Sequence, residues 1–75
     1  MLTSKPVLRA LGKNVRSFRE QNNLTQEKLA ERTGLDPTYI SGIERGLRNP
    51  GIINVARIAK AFGIRTSSLV EGVEA

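Results

Sequence analysis

The chain has 75 residues, of which 12 are Lys or Arg and 7 are Asp or Glu, so its formal charge is +5, and it contains neither Cys nor His. A chain of this length forms one small domain, and without thiols or imidazoles it has no disulfide, poor ligands for a structural metal and none of the usual nucleophile–base pairs. The absence of Cys and His excludes most enzyme chemistry. The sequence therefore predicts no catalytic site, no metal site and no cofactor.

A first helix is predicted from Val7 to Gln21. Apolar residues recur in this segment at steps of three and four, which places them on one stripe at about 100° per residue. The basic residues that fall nearly opposite that stripe are Lys5, Arg9, Lys13 and Arg16. A face of this kind is ordinarily solvated. Gly12 lies inside the pattern and costs about 1 kcal/mol relative to Ala, so the ordered helix is alternatively expected to begin there.

The second helix is predicted to start directly after the first. Asn22-Asn23 ends the first helix, because Asn tolerates the left-handed conformation of a C-cap, and Thr25 is a good N-cap for the next. Gly34 then stops the second helix with a positive φ. The turn that follows leaves no room for a loop, so the small side chain of Ala30 is expected at the point where the next helix crosses.

The third helix is predicted between Asp36 and Gly46. Asp36 caps it, Pro37 fits its first turn, and Gly46 ends it. Ile40 and Ile43 provide a minimal inward pair that closes the corner against the second helix.

Two further helices complete the chain. Asn49-Pro50 is predicted to cap and open the fourth helix, and residues 52–62 are too apolar for a helix with only one buried face. Gly63 is expected to end this helix, and Thr66 or Ser67 to cap a last short one. Five helices and no alternating strand pattern predict an all-α, compact domain that spans residues 1–75.

The basic charge favours a phosphate-rich partner, because it attracts phosphates and releases their counterions. Nucleic acid is therefore preferred over an anionic membrane surface. The segment from Met1 to Pro6 lacks the apolar stretch of a signal peptide, and no run of about 18 apolar residues occurs, so we expect a cytoplasmic protein.

The stretches 24–34, 39–46 and 48–50 together resemble the Cro/phage-repressor (XRE-type) helix-turn-helix family, and the similarity extends from Leu11 onward. Within that family the chain is most similar to the controller proteins of restriction–modification systems, which often carry a segment like Thr38 to Arg45. The resemblance implies a lambda-repressor-like fold, with the helix-turn-helix at about residues 26–45 and dimerisation elements at about residues 50–71.

The resemblance also implies which residues contact DNA. Gln26 would bind a backbone phosphate from the start of the second helix, while the third helix enters the major groove. The residues placed on DNA are Thr25, Gln26, Pro37, Thr38, Tyr39, Ser41, Gly42, Arg45, Arg48 and Asn49. Gly42 would face the DNA and let the helix sit deep in the groove. Many relatives have a long polar side chain at Pro37 or Gly42, so Arg45, Arg48 or the shape of the DNA would carry more of the specificity here.

Two further features follow from the resemblance. Glu44 would pair with Arg19 and so link the third helix to the first. The apolar residues expected at a dimer interface are Ile52, Ile53, Ala56, Ile64 and Val70. An exposed apolar strip usually marks an interface, and a two-fold dimer sets two recognition helices about 34 Å apart on a roughly palindromic operator.

The function implied is that of a homodimeric transcriptional regulator. As a controller protein it would first activate and then repress its own gene and the linked endonuclease gene, with two dimers on adjacent sites and a contact to RNA polymerase, and with neither membrane nor small-molecule ligand. A phage-type repressor or antitoxin regulator is the alternative with the same chemistry. A helical interaction module, in which the basic face binds an acidic surface, is the alternative of another class.

Overall fold

The computed structural model describes residues 5–75, so residues 1–4 of the predicted domain lie outside the described residues. Within residues 5–75 the chain forms helices and no strand. The helices are α1 (Lys5–Gln21), α2 (Gln26–Thr33), α3 (Pro37–Glu44), α4 (Ile52–Phe62) and α5 (Thr66–Leu69). The predicted all-α architecture with five helices is confirmed.

Side-chain caps start the two short central helices where the sequence places them. The hydroxyl of Thr25 accepts the backbone N–H of Lys28 at 3.1 Å, and Asp36 Oδ1 accepts the N–H of Thr38 at 2.7 Å. Each cap satisfies an N–H that has no partner inside the helix. The starting residues of α2 and α3 are therefore determined by side chains close by in the sequence.

Left-handed residues end the first two helices. Asn23 has φ 56° and Gly34 has φ 74°, and the N–H of Gly34 donates to the carbonyl of Ala30 at 2.8 Å. Ala30 is buried. These residues reverse the chain within a few positions and bring α3 tightly across α2, as predicted from the sequence.

The predicted starts of the last two helices are wrong. Asn49-Pro50 precedes α4, whose N-cap is Gly51, and α5 is capped by Arg65 and by neither Thr66 nor Ser67. Pro50 is buried. Its ring therefore packs into the interior as part of the connection before α4, although proline is also favoured in the first turn of a helix.

One apolar cluster joins all five helices. Its buried members are Leu11, Val15, Leu24, Leu29, Ala30, Ile40, Ile43, Val55, Ile58, Ala59, Phe62 and Leu69. The rings of Phe18 and Phe62 stack on its edge with their centroids 6.0 Å apart. Helix α3, which is expected to enter DNA, contributes the fully buried Ile40 and Ile43 to this cluster. Its inner side is therefore packed against the core.

Gly12 allows α1 to touch the end of α3. Helix α1 runs through Gly12 without interruption, so the alternative helix start at this residue is wrong. A Cβ on Gly12 would collide with the carbonyl oxygen of Ile43 and would lie 2.6 Å from that of Glu44. The glycine is therefore explained by close backbone approach and marks no helix boundary.

We expect Gly12→Ala to lower the free energy of unfolding by about 1 to 3 kcal/mol, because the added methyl group meets backbone that has to move. Helix propensity alone would predict a gain of about 1 kcal/mol. Urea unfolding followed by circular dichroism measures the difference. The control is Lys13→Ala, an exposed neighbour on the same helix, for which we expect a change within about 0.5 kcal/mol. A Gly12→Ala protein as stable as the parent would contradict the close approach of α1 and α3.

Candidate nucleic-acid interface

A shallow depression lies where the start of α2 meets the start of α3. It is lined by Arg19, Thr25, Gln26, Glu27, Pro37, Thr38 and Ser41. The structure thus brings together five of the residues that the sequence places on DNA, from two helices. A concave surface with hydroxyl and amide groups on both sides suits a phosphate and the base edges beside it.

Glu44 and Arg19 form a bidentate ion pair at the floor of this region. Arg19 Nε donates to Glu44 Oε2 at 2.6 Å, Nη2 donates to Oε1 at 3.0 Å, and the two side chains are 14% and 4% exposed. A third nitrogen, Nη1, donates to the carbonyl of Leu24 at 2.8 Å. The pair joins the end of α3 to α1, as the resemblance implied.

The ion pair also determines the charge of Arg19. The hydrogen bond to Glu44 raises the pKa of Arg19 above its ordinary value, an effect that outweighs the lowering caused by burial and is reinforced by the charges of Glu44 and Glu20. The guanidinium is therefore charged at neutral pH. Its positive charge stays available to balance the buried carboxylate.

Gln26 is held in place by the same carboxylate. Its Nε2 donates to Glu44 Oε1 at 3.2 Å. The side chain is half-buried and is fixed by a charged acceptor. Gln26 therefore does more than support α2: its amide group is oriented within the depression before any partner binds.

The outward side of α3 carries small polar residues and one arginine. At about 100° per residue, Thr38, Ser41, Gly42 and Arg45 lie opposite the buried Ile40 and Ile43. Thr38 and Arg45 are exposed, and Ser41 is half-buried. These groups can donate to or accept from several bases, or donate to phosphate.

Gly42 differs from the sequence expectation, and Tyr39 is partly covered. Gly42 is buried beneath the side chain of Arg48, so the prediction that its bare backbone faces the DNA is wrong for the free protein. Tyr39 is half-buried, and its hydroxyl accepts a hydrogen bond from Asn54 at 3.4 Å. The turn through Gly46 (φ 73°) returns the chain over α3 and so brings Arg48 onto Gly42.

Basic and polar side chains extend the surface beyond the depression. Arg48 and Asn49 are exposed after α3, and so are Lys5, Arg9, Lys13 and Arg16 on the basic face of α1. A Cβ on Gly46 would lie 3.1 Å from Arg9 Cγ, so Arg9 packs beside the turn that follows α3. This proximity of Arg9 to the recognition surface has no signal in the local sequence.

The residues expected at a dimer interface fall into two groups. Ile52, Ile53 and Ala56 are exposed, with 70% and 72% of the two isoleucines accessible. Ile64 and Val70 are half-buried and pack against the core of their own chain. Leu47 is 62% exposed and was missed by sequence reasoning, because it lies outside the periodic pattern of any helix. Ile52, Ile53 and Ala56, which are exposed together at the start of α4, are referred to below as the apolar patch.

The described residues contain neither a cluster of metal-ligating side chains nor a membrane-spanning helix. Within residues 5–75 no group of three or more acidic side chains is arranged to hold a metal ion. None of the helices in this part of the chain combines the length and the apolar character that crossing a bilayer requires.

Comparison with known proteins gives consistent matches. The pattern of the helix-turn-helix family matches residues 15–69. The control protein C.BamHI of Bacillus amyloliquefaciens is 44% identical over 61 residues, which cover 80% of this chain and 75% of that protein.

Two solved structures extend the match to three dimensions. The restriction–modification controller protein C.AhdI from Aeromonas hydrophila superposes with a TM-score of 0.81 at 39% identity, covering 83% of this chain and 94% of that one. The controller protein C.Esp1396I, solved as a tetramer in complex with its natural 35 base-pair operator, superposes with a TM-score of 0.80 at 34% identity, covering 89% and 88%.

We expect Glu44→Gln to lower the free energy of unfolding by about 3 to 5 kcal/mol, because it leaves the charge of Arg19 buried and unpaired. In a domain of this size each kcal/mol lowers the Tm by about 4 to 8 °C. The matched control is Glu20→Gln, which removes an exposed ion pair to Arg16 (N–O 3.5 Å) and should cost less than about 0.5 kcal/mol. Thermal and urea unfolding of both variants measure the two costs, and equal values would contradict the structural role of Glu44.

Proposed function

The chain belongs to the helix-turn-helix family, and from this premise we propose that it is a restriction–modification controller protein. It binds a palindromic operator as a homodimer and regulates transcription from it. The observation that carries this proposal is the amide of Gln26, which the Arg19–Glu44 pair orients beside the outward residues of α3 in a chain similar to C.BamHI and C.AhdI.

The proposed contacts divide into two kinds. Thr25 and Gln26, at the N-terminus of α2, bind backbone phosphate, helped by the positive end of the helix dipole. Thr38 and Ser41 lie toward the base edges of the major groove. Arg45 supplies a longer donor at the far end of α3, and the net charge of +5 adds attraction that does not depend on sequence.

The proposed regulation follows that of controller proteins. One dimer activates transcription of the chain's own gene and of the linked endonuclease gene through a contact with RNA polymerase, and a second dimer on an adjacent site then represses both. The tetramer of C.Esp1396I on its operator supports the step in which two dimers share one operator. In this proposal the protein acts in the cytoplasm on chromosomal DNA, is not an enzyme and needs no cofactor.

The apolar patch supports the proposed dimer. Residues 50–71 are the proposed dimerisation elements. Two large isoleucines side by side, each more than two-thirds exposed, are costly to leave in water on so small a domain. Their burial against a second copy sets the two recognition helices one DNA turn apart.

Selection of bound duplexes from a random pool, at near-physiological salt, tests the function directly. We expect enrichment of a two-fold related motif with half-sites about 10 base pairs apart, because a symmetric dimer presents α3 to two successive major grooves. Binding without any enriched motif that disappears as salt rises would contradict sequence-specific recognition. That result would favour the interaction module, for which the basic charge alone is responsible.

We expect Ile53→Glu to give a folded monomer, because a charge within the apolar patch opposes its burial between two copies. Sedimentation equilibrium measures the mass, and circular dichroism checks the fold. Gln21→Glu is the control, since it introduces a carboxylate at an exposed position on α1, outside residues 50–71, and should leave the dimer intact. A dimer that persists in Ile53→Glu would refute the assignment of this face.

A further inference from the structure

The surroundings of Gly42 are unusual for a residue on the outward side of α3. The side chain of Arg48 covers this glycine: a Cβ on Gly42 would lie 2.6 Å from Arg48 Cγ, 3.4 Å from Nε and 3.5 Å from Cδ. The stem of Arg48 therefore rests directly on the helix backbone. Only a residue without a side chain leaves room for it.

Tyr39 bounds the same space on one side. The guanidinium carbon of Arg48 lies 6.0 Å from the centroid of the Tyr39 ring, within the range of a cation–π attraction. The ring itself is held, because it packs against the core and its hydroxyl accepts a hydrogen bond from Asn54 on α4. Gly42 and Tyr39 together are called the Arg48 seat below.

The turn after α3 brings Arg48 to this seat. The N–H of Leu47 donates to the carbonyl of Gly42 at 2.8 Å, which folds the chain back on the helix immediately before Arg48. Arg48 nevertheless remains exposed as a residue. Its stem thus lies against Gly42, while the residue as a whole stays accessible to solvent.

We propose that Gly42 and Tyr39 are positioning residues for DNA recognition, which seat Arg48 so that its guanidinium reads a base edge at the place where α3 has no side chain of its own. This inference rests on the proposed function. A guanidinium forms bidentate hydrogen bonds with guanine, and an arginine that is already ordered loses less conformational freedom when it does so. Specificity then depends on a residue that lies outside the recognition helix.

The contacts around Gly42 and Gly12 predict different effects of an alanine substitution at the two positions. At Gly42 an added methyl group meets a flexible side chain, whereas at Gly12 it meets two backbone carbonyls. Gly42→Ala should therefore displace Arg48 and keep the fold. Because alanine also favours the helix, the Tm of this variant should not fall below that of the parent.

The test compares Gly42→Ala, Arg48→Ala and the double variant on the selected operator and on duplexes that each carry one changed base pair, by fluorescence anisotropy. We expect both single variants to lose preference at the same base pairs, by about 5- to 100-fold. The double variant should lose no more than Arg48→Ala alone. The control is Ser17→Ala, an exposed position on α1 outside the proposed DNA-contact and dimerisation residues, for which the parent's preference should persist.

A measurement without DNA tests whether Arg48 occupies the Arg48 seat. In the free parent protein, NMR should show the Cγ and Cδ protons of Arg48 shifted by the Tyr39 ring, and Gly42→Ala should return them toward random-coil positions. Unchanged shifts in Gly42→Ala would overturn the seat.

The binding results distinguish this inference from the proposed function. If the parent binds with a sequence preference and Gly42→Ala keeps it, the inference alone is overturned. The same holds if Arg48→Ala weakens all duplexes equally and lowers the salt slope by about one, as a phosphate contact would. If the parent itself has no sequence preference, the proposed function is contradicted, and so is the inference that rests on it.

Discussion

The carboxylate of Glu44 is the point at which three helices of this domain meet. It lies at the end of α3. It accepts two hydrogen bonds from Arg19 on α1 and one from Gln26 at the start of α2. The carbonyl of the same residue lies against Gly12, so α1 and α3 also touch through their backbones. A buried charge is costly unless it is fully paired, and here the pairing requires all three helices to be in position together. The geometry of the binding surface is thus tied to the stability of the fold.

This arrangement explains how a very small domain can hold a precise recognition surface. A chain of 75 residues buries only about 60% of its unfolded surface, so its margin of stability is thin. The side-chain caps of α2 and α3, the apolar cluster shared by the helices and the polar network around Glu44 all contribute to its stability. In the proposed dimer the exposed Ile52 and Ile53 would add burial that the monomer lacks.

The sequence predicted the parts of the fold and of the site that depend on neighbours along the chain. Thr25 and Asp36 cap their helices because their oxygens reach an N–H two or three residues away. Asn49-Pro50 has the same local signature of a helix start, but Pro50 is buried in the connection and α4 begins later. Gly12 was expected as a possible boundary because glycine disfavours a helix interior, whereas its actual partner, the end of α3, is distant along the chain. Local rules fail where a residue is selected for contact with a remote segment.

By itself the sequence determined that this is a basic, all-α domain without thiol or imidazole chemistry, and its motif was sufficient to indicate a helix-turn-helix that binds DNA. Composition, helical period and capping act over a few residues, so they can be read directly from the order of amino acids. Only the tertiary structure decided that Gly42 is covered by Arg48, that the hydroxyl of Tyr39 is bound to Asn54, and that Leu47 is exposed. These features depend on the path of the turn after α3 and on the packing of helices against one another, which no local pattern specifies.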